Sequence, residues 1–219
     1  MESNTPYEEY IAISRYARYL PDKQRRETWE ETVDRYCNYM EEKFAVSIPA
    51  IRKMIKNKDV MPSMRSLMTA GVALDRENVC AYNCAYVAVD HIRVFGESLY
   101  IQMNGTGLGF SVERQHIAKL PEVAEEFHDT DSVVVVRDSK LGWATALDEY
   151  VRLLYSGKVP KVDISRVRPA GAPLKTFGGR ASGGEPFALT LHNITNVFKG
   201  AAGRKLNSIE LHDVMCYIG

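Results

Sequence analysis

Cys84 stands near the head of the stretch NCAYVAVDHIRVFGESLYIQMNGTGLGFSVE, residues 83–113, and is its one thiol. Further along the same stretch, Gly105, Gly107 and Gly109 fall at every second position. Glycine has no Cβ, so this spacing lets a ligand approach bare main chain or lets the chain bend into a following strand. G-x-G-x-G is not the dinucleotide-binding G-x-G-x-x-G, so a Rossmann site has weak support. A thiol held beside open backbone fits the spacing, and so does a tight helix-to-strand turn with no ligand. Cys80 and Cys84 could form half of a zinc site, but no second Cys or His pair at ligand spacing follows, so no metal site is expected. Cys37 and Cys216 fall among apolar helical positions and read as inert packing residues.

Elements must hold the thiol and the glycines side by side. Tyr86 and Ala88 with Val87 and Val89 suit a buried strand, Phe95–Met103 a helix crossing back over it, and Gly109–Glu113 a second strand. Upstream, residues 7–20 read as a helix stopped at Pro21. Thr28 with Glu31 makes a capping box for a second helix, whose apolar face is Trp29, Val33, Cys37, Met40 and Phe44. A short basic helix follows at Ile51–Lys58. Met61–Gly71 reads as irregular, with Ser63, Arg65, Ser66 and Thr69 offering donors suited to phosphate.

Downstream, an acidic connector, Leu120–Ser132, leads into a buried strand at Val133–Val136. Trp143, Leu147, Val151 and Leu154 trace a helix face that closes at Gly157, before a strand at Val162–Ile164. Arg168–Pro186 is glycine-rich and without periodicity, a long loop in which Lys175 and Arg180 could hold an anion with the help of backbone N–H groups. Phe187, Leu191, Ile194 and Phe198, then Leu211, Val214, Met215 and Ile218, mark two final helices. The class is α/β, with a helical N-terminal segment, 1–58, and a strand-and-helix domain, 59–219.

At 219 residues and 45% hydrophobic content the chain can bury a core. Lysine plus arginine balance aspartate plus glutamate at 28 each, which leaves no basic field for nucleic acid or an anionic membrane. No run approaches the roughly 20 apolar residues of a membrane span, and MESNTPYEEY lacks the basic start and apolar core of an export signal. Four scattered cysteines suit a reducing compartment. The expected location is the cytoplasm.

Taken in order, MPSMRSLMTAG, YNCAYVAV, NGTGLGFSVER, RDSKLGW and DISRVRPAGAPLKTFGGRASGGEP resemble the N-terminal half of a class II ribonucleotide reductase, the adenosylcobalamin-dependent ribonucleoside-triphosphate reductases most closely. The likeness runs from RRETWEETVDRYCNYM to the last residue, and RPAGAPLKTFGG is its most specific part. It implies the first half of a ten-stranded α/β barrel, two antiparallel sets of five parallel strands. Cys84 matches the family's redox cysteine on the first barrel strand, half of the disulfide formed when a ribonucleotide is reduced. Ser63, Asn83 and Gly107 match substrate-facing positions, and Lys175, Gly178, Gly179 and Arg180 lie in a loop that resembles one near the nucleotide effector.

The implied cofactor is adenosylcobalamin, bound mainly by the half not present here. That half would also carry the thiyl cysteine and the partner of Cys84. The implied partners are a ribonucleoside triphosphate, this second half and a thioredoxin-type reductant. The short Leu120–Ser132 connector leaves little room for the effector-binding insertion of some monomeric members. A non-catalytic nucleotide-binding remnant and a diphosphate-reducing enzyme are the alternatives.

Overall fold

The computed structural model describes residues 5–174 and 179–219, in two compact units that divide between Tyr82 and Asn83. In the first, Thr5 caps helix α1 (Pro6–Ile11), which widens into a π-helical turn over Ala12–Tyr16. The helix expected to reach residue 20 ends there: Ala17 is extended, and β1 (Tyr19–Leu20) pairs antiparallel with β2 (Arg25–Arg26) across a 3-10 turn, Pro21–Lys23. Helix α2 (Trp29–Phe44) starts on the expected capping box. The Glu31 N–H donates to Thr28 Oγ1 at 3.2 Å and the Thr28 N–H to the Glu31 carboxylate at 2.9 Å. Its buried stripe, Val33 and Cys37, packs on Ile55 of α3 (Pro49–Lys56), and Arg52 of α3 reaches back to Asp34, Asn38 and Glu41. Helices α4 (Met64–Thr69) and α5 (Val72–Arg76) and a 3-10 turn, Asn78–Ala81, complete the unit.

Helix α4 lies where the sequence reads as irregular, because cations from distant positions cap it. Arg35 Nη1 donates to the carbonyls of Leu67 (3.0 Å) and Ala70 (3.1 Å), and Arg18 Nη2 to those of Met68 (3.3 Å) and Thr69 (3.1 Å). Cations there complement the unsatisfied carbonyls at a helix C-terminus. Both guanidiniums are anchored to the first unit, so residues 59–82 pack with the N-terminal helices, and the compact units part at 82/83 rather than at 58/59.

Glu27, only 6% exposed, organises this cluster. It accepts from Arg35 Nε (2.8 Å) and Nη2 (3.0 Å), from the Arg18 N–H (3.1 Å) and from the Thr32 hydroxyl (3.1 Å). Burial pushes its pKa up, but Arg35, the Arg18 N–H and Thr32 together outweigh burial and hold the carboxyl below the usual glutamate range.

The second unit is two strand–helix–strand repeats. β3 (Cys84–Ala88), α6 (Val94–Met103) and β4 (Gly107–Ser111) form one, its strands parallel in the register Cys84↔Gly107 to Ala88↔Ser111. β5 (His128–Val135), α8 (Lys140–Tyr155) and β6 (Lys158–Asp163) form the other, also parallel, with a register break between Asp129 and Val133. The short α7 (Arg114–Ile117) follows β4, and α9 (Glu185–Gly200) and α10 (Ser208–Ile218) close the core. All eight apolar positions marked for α9 and α10 are buried.

One difference from the sequence reading stands out. β5 begins inside the supposed acidic connector, and Val134 is its one buried residue, with Val133 50% exposed. The parallel strands of the described residues form two separate pairs.

Because the Glu27 pKa is lowered on folding, its contribution is complete above the unfolded pKa of about 4.3 and is lost as pH falls through the folded value. Trp29 reports on the first unit and Trp143 on the second. In a Trp143→Phe background, Glu27→Ala should destabilise the first unit by about 3–5 kcal/mol and flatten the acid dependence of the Trp29 fluorescence transition. An acid limb identical to that of the parent would assign the pH dependence to other carboxylates.

Candidate functional site

Parallel pairing and the two-residue period of a strand give the β3–β4 ladder two unlike faces. Val87, Leu108 and Phe110 turn toward the core. Cys84 and Tyr86 of β3, with Gly107 and Gly109 of β4, are exposed together on the other face. Cys84 lies directly across from Gly107, whose N–H donates to the Asn83 carbonyl at 2.9 Å and locks the register at the head of the ladder. The thiol therefore stands at the open end of a strand beside a stretch of backbone with no side chain.

The glycines of this unit divide by what demands them. Gly105 has φ +77° and makes the turn out of α6. Gly157 combines φ +75° with a Cβ position that would run into the Glu126 carbonyl oxygen, and Gly96 would place a Cβ 2.7 Å from that of Ala144. Gly107 and Gly109 are different. Neither has positive φ, and a Cβ would meet nothing closer than the Asn83 carbonyl oxygen at 3.5 Å or that of Ala85 at 3.9 Å. Folding of this unit leaves room for a side chain at both.

Asn83 is exposed and enters the ladder through its carbonyl. Ser63, in the first unit, occupies the N-cap position of α4, but its exposed hydroxyl does not cap the helix. Of the loop candidates, Lys175 and Gly178 lie outside the described residues. Gly179 has φ +91° and accepts from the Leu174 N–H at 3.0 Å, and Arg180 forms an antiparallel bridge with Pro173. Arg180 Nη1 donates to the Gly171 carbonyl at 2.9 Å and its side chain is exposed. At the base of this loop Arg168 Nε meets both Asp138 carboxylate oxygens at 2.9 Å, a pairing that raises the Arg168 pKa.

Cys37 and Cys80 are buried, whereas Cys216 is exposed, with the His212 ring 3.7 Å away. Its expected role in packing is thus corrected: helix α10 buries Val214, Met215 and Ile218 and turns Cys216 outward. Tyr86, expected within a buried strand, is 64% exposed, and its two-residue offset from Cys84 is the signal that both share a face. Among the described residues no three His, Cys, Asp or Glu side chains gather as metal ligands would, and no helix is long and apolar enough to cross a membrane.

The fold that carries this ladder is that of a class II ribonucleotide reductase. The chain superposes on the crystal structure of a B12-dependent (class II) ribonucleotide reductase with a TM-score of 0.77, over 95% of this chain and 39% of that one, at 22% identity. In sequence it is a relative of the adenosylcobalamin-dependent ribonucleoside-triphosphate reductases. It is 27% identical to that of Lactobacillus delbrueckii subsp. bulgaricus and 26% to that of Lactobacillus leichmannii, each over 93% of this chain. The chain spans about 37% of the length of these relatives. Both alignments run over 276 positions, more than the 219 residues present, so the relatives carry segments here that this chain lacks. No protein-family model matches.

Two outcomes are expected of the isolated chain. Gly107→Ala and Gly109→Ala should leave its thermal midpoint nearly unchanged, while Gly96→Ala, which overpacks a helix crossing, should cost about 1–3 kcal/mol. Calorimetry on the three variants decides this, and a large loss at Gly107 or Gly109 would show that packing demands them. Under native conditions iodoacetamide should label Cys84 and Cys216 well before Cys37 and Cys80, as read by peptide mass spectrometry.

Proposed function

We propose that this chain is the N-terminal part of an adenosylcobalamin-dependent ribonucleoside-triphosphate reductase and that Cys84 is one of the two thiols that reduce the ribose 2′ carbon. The observation that carries this is the exposed Cys84 at the head of a parallel ladder, facing Gly107, within a chain whose fold matches a class II reductase at a TM-score of 0.77. In the proposed reaction the 2′-hydroxyl leaves as water, a hydrogen takes its place, and the two thiols give up two protons and two electrons to become a disulfide. A thioredoxin-type reductant then restores them. The second thiol and the thiyl cysteine belong to the remainder of the enzyme, on a second polypeptide or a continuation of this one.

Each parallel ladder has two strands and so an unpaired edge on both sides, which supports completion by further strands into a ten-stranded barrel. Adenosylcobalamin, when bound, supplies the radical chemistry. A groove of about 680 Å³ is lined by Phe110–Gln115 and Ser208, and another of about 380 Å³ lies between α6 and α8. The cofactor's contacts are assigned mainly to the rest of the enzyme.

Substrate contact is assigned to Ser63, Asn83 and Gly107, and effector contact to Lys175, Gly178, Gly179 and Arg180. The relatives' names favour a triphosphate over a diphosphate substrate. The proposed location is the cytoplasm.

The test joins this chain to the polypeptide that supplies the missing half. Cys84→Ser should retain the radical signal of the loaded enzyme by electron paramagnetic resonance and abolish deoxyribonucleotide formation, whereas Cys216→Ser should turn over normally. Peptide mapping after one turnover without reductant should find Cys84 bonded to a cysteine of the other half. Active Cys84→Ser enzyme, or equal loss in both variants, would refute the assignment.

A further inference from the structure

Six positions make up the outer face of the β3–β4 ladder: Cys84, Tyr86 and Ala88 on β3, and Gly107, Gly109 and Ser111 on β4. Four of the six carry nothing larger than a hydroxymethyl group. Tyr86 is the one bulky side chain among them. The register sets it beside Gly109, and a strand rise of about 3.3 Å per residue places its Cα roughly 6.6 Å along the strand from that of Cys84.

A tyrosine opposite a strand glycine has a structural use, in which the ring lies across the glycine and covers its backbone. A ring used that way is shielded on one side by the neighbouring strand and loses much of its accessibility. Tyr86 keeps 64% of its surface exposed, and Gly109 stays open beside it. What the face offers is a floor of main chain, a thiol at its mouth and one aromatic wall about a sugar's length further in. Exposed aromatic rings beside open backbone bind flat, partly polar molecules by stacking, with little selectivity among bases.

We propose that Tyr86 is a positioning residue whose ring stacks on a nucleoside lying over Gly107 and Gly109 and so holds the ribose at Cys84. The proposal rests on the nucleotide-reducing reading above and adds to it the group that orients the substrate. Tyr86 takes no part in bond making. Its ring supplies the contact and its hydroxyl is dispensable, so Tyr86→Phe should behave as the parent does.

The test uses the 219-residue chain, with iodoacetamide labelling of Cys84 read by mass spectrometry and ATP as the probe. ATP should slow labelling of Cys84 saturably in the parent and in Tyr86→Phe. In Tyr86→Val, whose β-branched side chain suits the strand, the ATP concentration for half-protection should rise roughly tenfold. The labelling rate without ATP and the thermal midpoint should stay the same in all three, which separates stacking from a folding defect. Equal protection of parent and Tyr86→Val would overturn the role of Tyr86 and leave the assignment of Cys84 intact. No saturable protection in the parent would overturn the nucleoside site itself, and the role of Tyr86 with it.

Discussion

Helices α6 and α8 meet at Gly96, where a single methyl group would come 2.7 Å from the carbonyl oxygen of Ala144. The arrangement of the second unit depends on that approach. α6 is the crossover of the β3–β4 ladder and α8 that of the β5–β6 ladder, so the depth of their contact fixes how far apart the two ladders stand. Phe95 and Leu99 on one helix and Leu147 and Val151 on the other fill the same core cluster, with α9 and α10 packed against it. Interiors packed to this density transmit small displacements, and a shift at the crossing would be passed to the strand that presents Cys84.

The first unit is held by a different kind of force. One apolar cluster centres on Val33, Cys37 and Ile55, Leu67, Ala70 and Leu74 are buried as well, and guanidinium groups reach across the sequence to carbonyls and to Glu27. A buried pair of this kind stabilises little relative to an apolar replacement but fixes geometry, since only one arrangement satisfies every donor. That arrangement keeps α4, with Ser63 at its start, in place against α2.

How much of this was legible in the sequence follows from the range of each interaction. The Thr28 and Glu31 cap, the faces of α9 and α10 and the helix between two strands around Cys84 depend on neighbours within a turn or two, and the pattern showed them. Helix α4 was missed because what completes it comes from Arg18 and Arg35, more than thirty residues upstream. The outward turn of Cys216 was missed because its neighbours on the other side of the helix are apolar. At the site, the pairing of Cys84 with the glycine segment was readable from spacing, whereas the exposure of Tyr86 required knowing which face of the ladder the core covers.

The parallel ladders also bear on how the chain comes to be folded. Cys84 pairs with Gly107 and His128 with Lys158, so each ladder closes over a stretch of roughly 20 to 30 residues that contains its own helix. Such short-range closure favours rapid assembly, and the N-terminal repeat can form while later residues are still being synthesised. A protein made this way tolerates interruption between repeats far better than within one, and a break in the coding sequence would be least harmful where one repeat has just closed.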